Sequence, residues 1–119
     1  MWPFFRKDKS MTLTRIDDGF AVTGQIRPEQ VEELAALGFR AIVCVRPDEE
    51  EAGQPAFAEV AAAAERGGLK AIHIPMTGGV PSPEQIALFR DALGSVDGPV
   101  LGYCRSGARA ANLCAAAGR

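Results

Sequence analysis

Residues 41–74 read AIVCVRPDEEEAGQPAFAEVAAAAERGGLKAIHI and decide the fold. The segment begins with a continuous apolar run at 41–45 and closes with a second, mostly apolar run at 69–74. Both runs have the length of strands that are covered on two faces. The alanine-rich stretch at 55–66 between them is typical of a helix. Because a helix between two such strands makes a crossover connection, the segment predicts parallel strands in one sheet.

The same alternation continues on both sides of this segment. It predicts further strands at 12–16, 20–24 and 100–103, and helices that begin at Pro28, Ser82-Pro83 and Ala108. The fold class is therefore α/β, with a central, mostly parallel sheet flanked by helices on both faces. Residues 12–119 are predicted to form a single domain, and residues 1–11 an N-terminal arm.

Composition excludes several classes of protein. The 119 residues carry 13 basic and 15 acidic side chains, a balance that argues against nucleic-acid binding. The chain has no apolar run long enough to span a membrane and no secretory signal, so we expect a cytoplasmic protein without membrane contacts. Its three cysteines are widely spaced and it has one histidine, which predicts neither a disulfide framework nor a metal site. Nucleotide-binding fingerprints are missing as well, and no cofactor is predicted.

The third buried strand leads directly into Cys104-Arg105-Ser106-Gly107-Ala108-Arg109, named here the cysteine loop (residues 104–109). The helix that follows points its unpaired N–H groups and the positive end of its dipole at the cysteine, which favours thiolate. Gly107 allows the loop to form an anion nest, and the planar guanidinium of Arg109 can hold an anion. The predicted catalytic residues are Cys104 and Arg109, and the predicted anion- or substrate-binding residues are Arg105, Ser106, Gly107 and Ala108. The alternative is a buried, inert cysteine beside two exposed arginines.

Two further residues are expected at the same end of the sheet, because the carboxyl ends of parallel strands meet there. Arg46 is either a second anion contact or a structural partner of the acidic run 48–51. Asp48 is an accessory candidate for the proton-donating acid, although its position fits a turn or helix cap better. Cys44 and His73 lie inside apolar strands and are expected to be structural.

Three segments resemble the beta-lactamase-hydrolase-like, protein-phosphatase-like bacterial family: YCRSGAR (103–109), IRPEQVEELAALGFRAIVCVRPDEEE (26–51) and IHIPMTGGVPSPEQI (72–86). The resemblance extends from about residue 12 to the end of the chain. It implies a fold similar to that of tyrosine and dual-specificity phosphatases, and a role in sulfur transfer. It also implies a separate metallo-beta-lactamase-like hydrolase as a candidate partner.

The spacing within the cysteine loop separates two kinds of chemistry. Tyrosine phosphatases place five residues between cysteine and arginine, whereas Arg109 leaves four here and the next position is Ala110. Rhodanese-type sulfurtransferases use a tighter, six-residue loop. Dual-specificity phosphatases also carry an acid about thirty residues before the cysteine, which protonates the leaving group. Residues 74–79 have no carboxylate there.

The leading hypothesis is therefore a sulfurtransferase-like protein that carries sulfane sulfur as a persulfide on Cys104. One alternative is a phosphatase that hydrolyses phosphomonoesters through a cysteinyl phosphate. The other is a non-catalytic anion-binding or adaptor module. Under the two enzymatic hypotheses, the substrate is a small anionic sulfur or phosphate compound.

Overall fold

The computed structural model describes residues 11–118 and contains five strands and four helices, which alternate along the chain after an initial pair of strands. The strands are β1 (Thr14–Asp17), β2 (Phe20–Thr23), β3 (Ala41–Cys44), β4 (Lys70–His73) and β5 (Val100–Tyr103). The helices are α1 (Val31–Ala36), which follows a short 3-10 turn at Pro28–Gln30, then α2 (Phe57–Arg66), α3 (Pro83–Gly94) and α4 (Ala108–Ala116). The predicted arm lies outside the described residues, apart from Met11, which is buried.

The strands form one sheet in the order β1-β2-β5-β3-β4. Strand β1 is antiparallel to β2, and every other pair is parallel, so the predicted mostly parallel sheet is confirmed. Strand β1 begins at Thr14 rather than at residue 12. The Thr12 carbonyl instead accepts a hydrogen bond from the Thr23 hydroxyl at 2.8 Å, outside the strand ladder.

Helices cover both faces of the sheet, and each face has its own apolar core. Helices α1 and α2 pack on one face against side chains such as Ile42 and Leu101. Helices α3 and α4 pack on the other face, where Phe89 meets Phe20 edge to face at 5.3 Å between ring centroids. Gly102 allows the close packing on this second face, because a Cβ at that position would lie 2.7 Å from the Phe20 ring and 3.2 Å from the Ala110 methyl group.

The central position of β5 places the cysteine loop. This strand is hydrogen-bonded to β2 on one side and to β3 on the other, so its carboxyl end opens in the middle of the sheet edge. The loops after β3 and β4 reach the same edge. Helix α3 begins nearby as predicted, with the Ser82 hydroxyl accepting a hydrogen bond from the Gln85 N–H at 3.1 Å.

Candidate active site

Cys104 follows the last residue of β5 and is fully buried at the base of the cysteine loop. Its sulfur accepts a hydrogen bond from the Gly107 N–H, with 3.0 Å between nitrogen and sulfur. Gly107 has φ +96° and comes directly before α4, so this left-handed residue both begins the helix and turns its N–H toward the sulfur. The geometry is that of an anion-binding loop at a helix N-terminus.

Arg109 turns back toward the sheet edge and is only 15% exposed. Its Nη1 donates to Glu50 Oε2 at 2.9 Å and to the Met76 carbonyl at 2.6 Å, while Nη2 donates to Glu50 Oε1 at 2.8 Å. The hydrogen bonds that Arg109 donates to Glu50 raise the pKa of Arg109, and the nearby Cys104 sulfur contributes in the same direction. The predicted pair, Cys104 and Arg109, therefore lies together in the structure.

The remaining residues of the cysteine loop face outward to different degrees. The Ser106 hydroxyl accepts a hydrogen bond from the Ala108 N–H at 3.3 Å, so that amide is turned to the hydroxyl. The Arg105 side chain is 67% exposed and lies 3.4 Å from Glu51. Of the four predicted binding residues, Gly107 is the one whose amide contacts the sulfur in the described part of the chain.

Arg46 has a structural role at this site rather than an exposed anion-binding one. Its side chain is 1% exposed, and its guanidinium donates to Glu50 Oε1 at 2.7 Å, to Gln25 Oε1 at 2.8 Å and to Glu51 Oε1 at 2.9 Å. Of the two roles that the sequence left open for Arg46, the structure favours partnership with the acidic run.

Asp48 caps a helix. Its Oδ1 accepts the Phe57 N–H at 2.8 Å, at the start of α2, so the capping interpretation fits and the accessory acid role does not. His73 also makes structural contacts: its Nε2 lies 2.8 Å from the Arg46 carbonyl, and its ring stacks on Phe57. Cys44 and Cys114 are buried thiols that pack in the two apolar cores.

The residue that sequence reasoning missed is Glu50. Glu50 belongs to the acidic run 48–51, and its carboxylate lies between Arg46 and Arg109 and is neutralised by both. Hydrogen bonds from Arg109, and then from Arg46, lower the pKa of Glu50 to about 2. The position after a buried strand was the one available signal, since the contact with Arg109 joins residues that are 59 positions apart.

Metal and membrane features can be stated for residues 11–118. Within them, no group of three or more His, Cys, Asp or Glu side chains is arranged to hold a metal ion. None of the helices there has both the length and the apolar character needed to cross a bilayer.

The fold and the site together define a class of protein. The site has the arrangement of tyrosine-phosphatase-like domains: a central parallel strand followed by a cysteine, a loop turned by glycine, an inward arginine and a helix. The family model described as "Beta-lactamase hydrolase-like protein, phosphatase-like domain" matches residues 12–118. The chain belongs to this family, which confirms the resemblance seen in the sequence.

Known proteins and structures agree with this assignment. A beta-lactamase hydrolase-like protein of Xylella fastidiosa is 35% identical over 105 residues, which are 88% of this chain and 24% of the relative. The crystal structure of a candidate phosphatase from Neisseria meningitidis has a TM-score of 0.76 and 33% identity, and the match covers 85% of this chain and 72% of that one. Tk-PTP in its active form has a TM-score of 0.64 and 23% identity over 90% of this chain and 65% of its own, which supports the fold.

These comparisons bear directly on the competing hypotheses. They support a phosphatase-like domain, and they back the phosphatase alternative better than the leading prediction of sulfur transfer. None of them supports a rhodanese-like protein. Because the chain spans 24% of the length of the curated relatives it matches, the activity of those whole proteins is a separate question.

Proposed function

We propose that this domain is a phosphatase that hydrolyses phosphomonoesters through a cysteinyl phosphate on Cys104. The observation that carries the proposal is the hydrogen bond from the Gly107 N–H to the Cys104 sulfur at the start of α4. An amide and a helix dipole directed at a sulfur stabilise negative charge there, and the thiolate is the nucleophilic form. Arg109 supplies the positive charge for the phosphoryl oxygens.

The reaction has two steps. In the first, the Cys104 thiolate attacks phosphorus, an S–P bond forms, and the P–O bond to the leaving group breaks with its electron pair on that oxygen. In the second, water attacks the cysteinyl phosphate, the S–P bond breaks, and inorganic phosphate and the thiolate are released. The proton from water passes to solvent or to phosphate. The cysteine loop stabilises the transferring phosphoryl group in both steps.

The acidic residues near the loop restrict the substrate class. Asp48 is held as the cap of α2, and Glu50 remains ionised near neutral pH because its pKa is lowered to about 2. Neither is suited to protonate a leaving group, and general acid catalysis contributes about 10²–10⁴-fold to such reactions. We therefore propose phosphate esters whose leaving group departs as a stable anion, such as aryl phosphates.

A series of phosphate esters tests this function. Aryl phosphates of decreasing leaving-group pKa should be hydrolysed progressively faster, and alkyl phosphates should be turned over at least about 10²-fold more slowly, as expected without an acid. Rapid quenching should trap one phosphoryl group on Cys104. Equal rates for alkyl and aryl esters would contradict the absence of an acid. A lack of hydrolysis for every ester would reject the phosphatase.

Sulfur transfer is the second candidate. It is favoured because neither Asp48 nor Glu50 is suited to protonate a leaving group, and sulfur transfer needs no such acid. A sulfane sulfur donor such as thiosulfate releases sulfite, which leaves without protonation. The Cys104 thiolate would attack the outer sulfur, form the persulfide and expel sulfite, and a thiol or cyanide would then remove that sulfur. Incubation with thiosulfate, followed by mass spectrometry, decides between the candidates. An added sulfur atom on Cys104 supports transfer, and its absence removes it.

Two further parts of the proposal concern the surroundings of the domain. We place it in the cytoplasm, because all three cysteines are buried thiols and a reducing compartment keeps cysteines in this form. A separate metallo-beta-lactamase-like hydrolase is the proposed partner. Copurification of the two proteins from the native cell tests the partner, and fractionation tests the location.

A further inference from the structure

Arg46 is the only charged residue among residues 11–118 that is buried. Its guanidinium has a partner at each nitrogen: Glu50 at Nε, Gln25 at Nη1 and Glu51 at Nη2. A buried arginine is tolerated when its charge is paired and its donors are satisfied, as they are here. Since no nitrogen is left over and the side chain is 1% exposed, Arg46 is closed to direct contact with a substrate.

The backbone of Arg46 is also held in place. Its carbonyl accepts a hydrogen bond from the Cys44 thiol at 3.3 Å and lies 2.8 Å from Nε2 of His73. Both partners belong to strands of the sheet. Arg46 is therefore a rigid extension of the sheet edge, which is the property required of a residue that orients others.

Two glutamates connect Arg46 to the two arginines of the cysteine loop. The Glu50 carboxylate accepts Arg46 Nε through Oε1, and both of its oxygens accept from Arg109, at 2.8 and 2.9 Å. The Glu51 carboxylate accepts Arg46 Nη2 through Oε1, and its Oε2 lies 3.4 Å from Arg105. The Glu50 branch is bidentate and reaches the inward arginine, whereas the Glu51 branch is longer and reaches an exposed one.

The edge of Arg109 that Glu50 occupies decides whether the contact blocks the site or orients it. Glu50 and the Met76 carbonyl engage Nη1 and Nη2. Within residues 11–118 these contacts leave the Nε–H and one Nη2–H, which are parallel donors on the side of the guanidinium. A tetrahedral anion is bound by such a parallel pair. Glu50 thus occupies the end of the guanidinium and leaves the side for a ligand.

We propose that Arg46 is a positioning residue that fixes the Glu50 carboxylate, which in turn holds the Arg109 guanidinium ready for an oxyanion in the cysteine loop. The inference rests on the proposed function only in naming phosphate as that oxyanion. It assigns different roles to two adjacent glutamates: Glu50 orients the anion site, and Glu51 does not.

The first test compares Glu50→Gln with Glu51→Gln by calorimetric titration with inorganic phosphate. Loss of one negative charge alone should tighten phosphate binding, and Glu51→Gln measures that effect. Glu50→Gln should instead weaken binding about tenfold, because the bidentate support of Arg109 is lost. Equal effects of the two substitutions, tighter binding by Glu50→Gln, or a wild-type protein that binds no phosphate would each overturn the proposal.

The second test addresses Arg46 itself. Arg46→Lys keeps the charge but supplies one donor position where three are used, so phosphate binding should weaken about tenfold although the fold is kept. In an Arg109→Lys background, Arg46→Lys should cause no further loss, whereas a merely structural role would give additive losses. If Arg46→Lys is unfolded in a thermal melt, Glu50→Gln in the same background decides the question.

Hydrolysis of an aryl phosphate by the wild-type protein is measured in parallel. Phosphate binding that shows the Glu50 and Glu51 difference without any hydrolysis would reject the phosphatase and keep the positioning role. Hydrolysis that is insensitive to Glu50→Gln and Arg46→Lys would keep the phosphatase and reject the positioning role.

Discussion

Cys44 and Cys104 lie at the ends of neighbouring strands, and their comparison shows what burial alone does not determine. Both thiols are buried, and Cys44 pairs in register with Tyr103, the residue before Cys104. The Cys44 thiol donates its hydrogen to the Arg46 carbonyl, and burial raises the pKa of Cys44. The Cys104 sulfur accepts a hydrogen bond from an amide. The direction of the hydrogen bond, rather than exposure, separates the structural cysteine from the candidate nucleophile.

The largest difference should appear when each of the two cysteines is replaced by serine. Cys104→Ser should lower aryl phosphate hydrolysis by more than about 10³-fold, since the nucleophile is removed. Cys44→Ser should keep most of the activity, because the serine hydroxyl can still donate a hydrogen bond to the Arg46 carbonyl. Steady-state kinetics with p-nitrophenyl phosphate measures both. Comparable losses in the two variants would mean that the comparison between the cysteines is wrong.

The next effect concerns the charge that accompanies Cys104. Arg109→Lys should lower kcat/KM by about 10²-fold, because lysine keeps the charge but cannot offer parallel donors to a phosphoryl group. Arg90→Lys is the matched control, since Arg90 is an exposed arginine on α3 that contacts the Ala117 carbonyl. A similar loss in the control would point to a general effect of surface charge.

The third prediction concerns a substitution that should displace the cysteine loop without changing any residue of that loop. A Cβ at Gly24 would lie 2.9 Å from the Arg105 carbonyl oxygen, so Gly24→Ala must shift the cysteine loop. Overpacking of this kind costs about 1–3 kcal/mol of stability, and we expect activity to fall about tenfold. Gly94→Ala is the control, because a Cβ at Gly94 meets nothing within 4 Å at the end of α3. Urea unfolding and kinetics on both variants measure the difference.

The sequence predicted the backbone of this site better than its side-chain partners. Strand, cysteine, glycine and helix are consecutive, so local rules placed Cys104 and Gly107 in an anion loop. The environment of Glu50 depends on Arg109, which is 59 positions away, and no local pattern carries that contact. The spacing of four residues between Cys104 and Arg109 favoured sulfur transfer, whereas the family comparisons support a phosphatase-like domain.

The smallest expected effect is a dependence of the folding stability on acid pH, which arises from Glu50 in the site of Cys104. The pKa of Glu50 falls from 4.5 to about 2 through its hydrogen bonds with Arg109 and Arg46. A lowered pKa in the folded state stabilises the fold above 4.5, and this contribution is lost as the pH falls from 4.5 toward 2. Wild-type protein should therefore be more stable than Glu50→Gln near neutral pH, and the two should converge in acid.

Urea unfolding of both proteins across this pH range measures the convergence. Glu59→Gln, which removes an exposed carboxylate on α2, is the control for the loss of one negative charge. Because Glu50 is 29% exposed, solvent screens part of the ion pair and the difference should be modest. A Glu50→Gln curve that runs parallel to the wild type would mean that Glu50 is not held by the two arginines in solution. In that case the Cys104 sulfur would be stabilised by the Gly107 N–H without the support of an oriented Arg109.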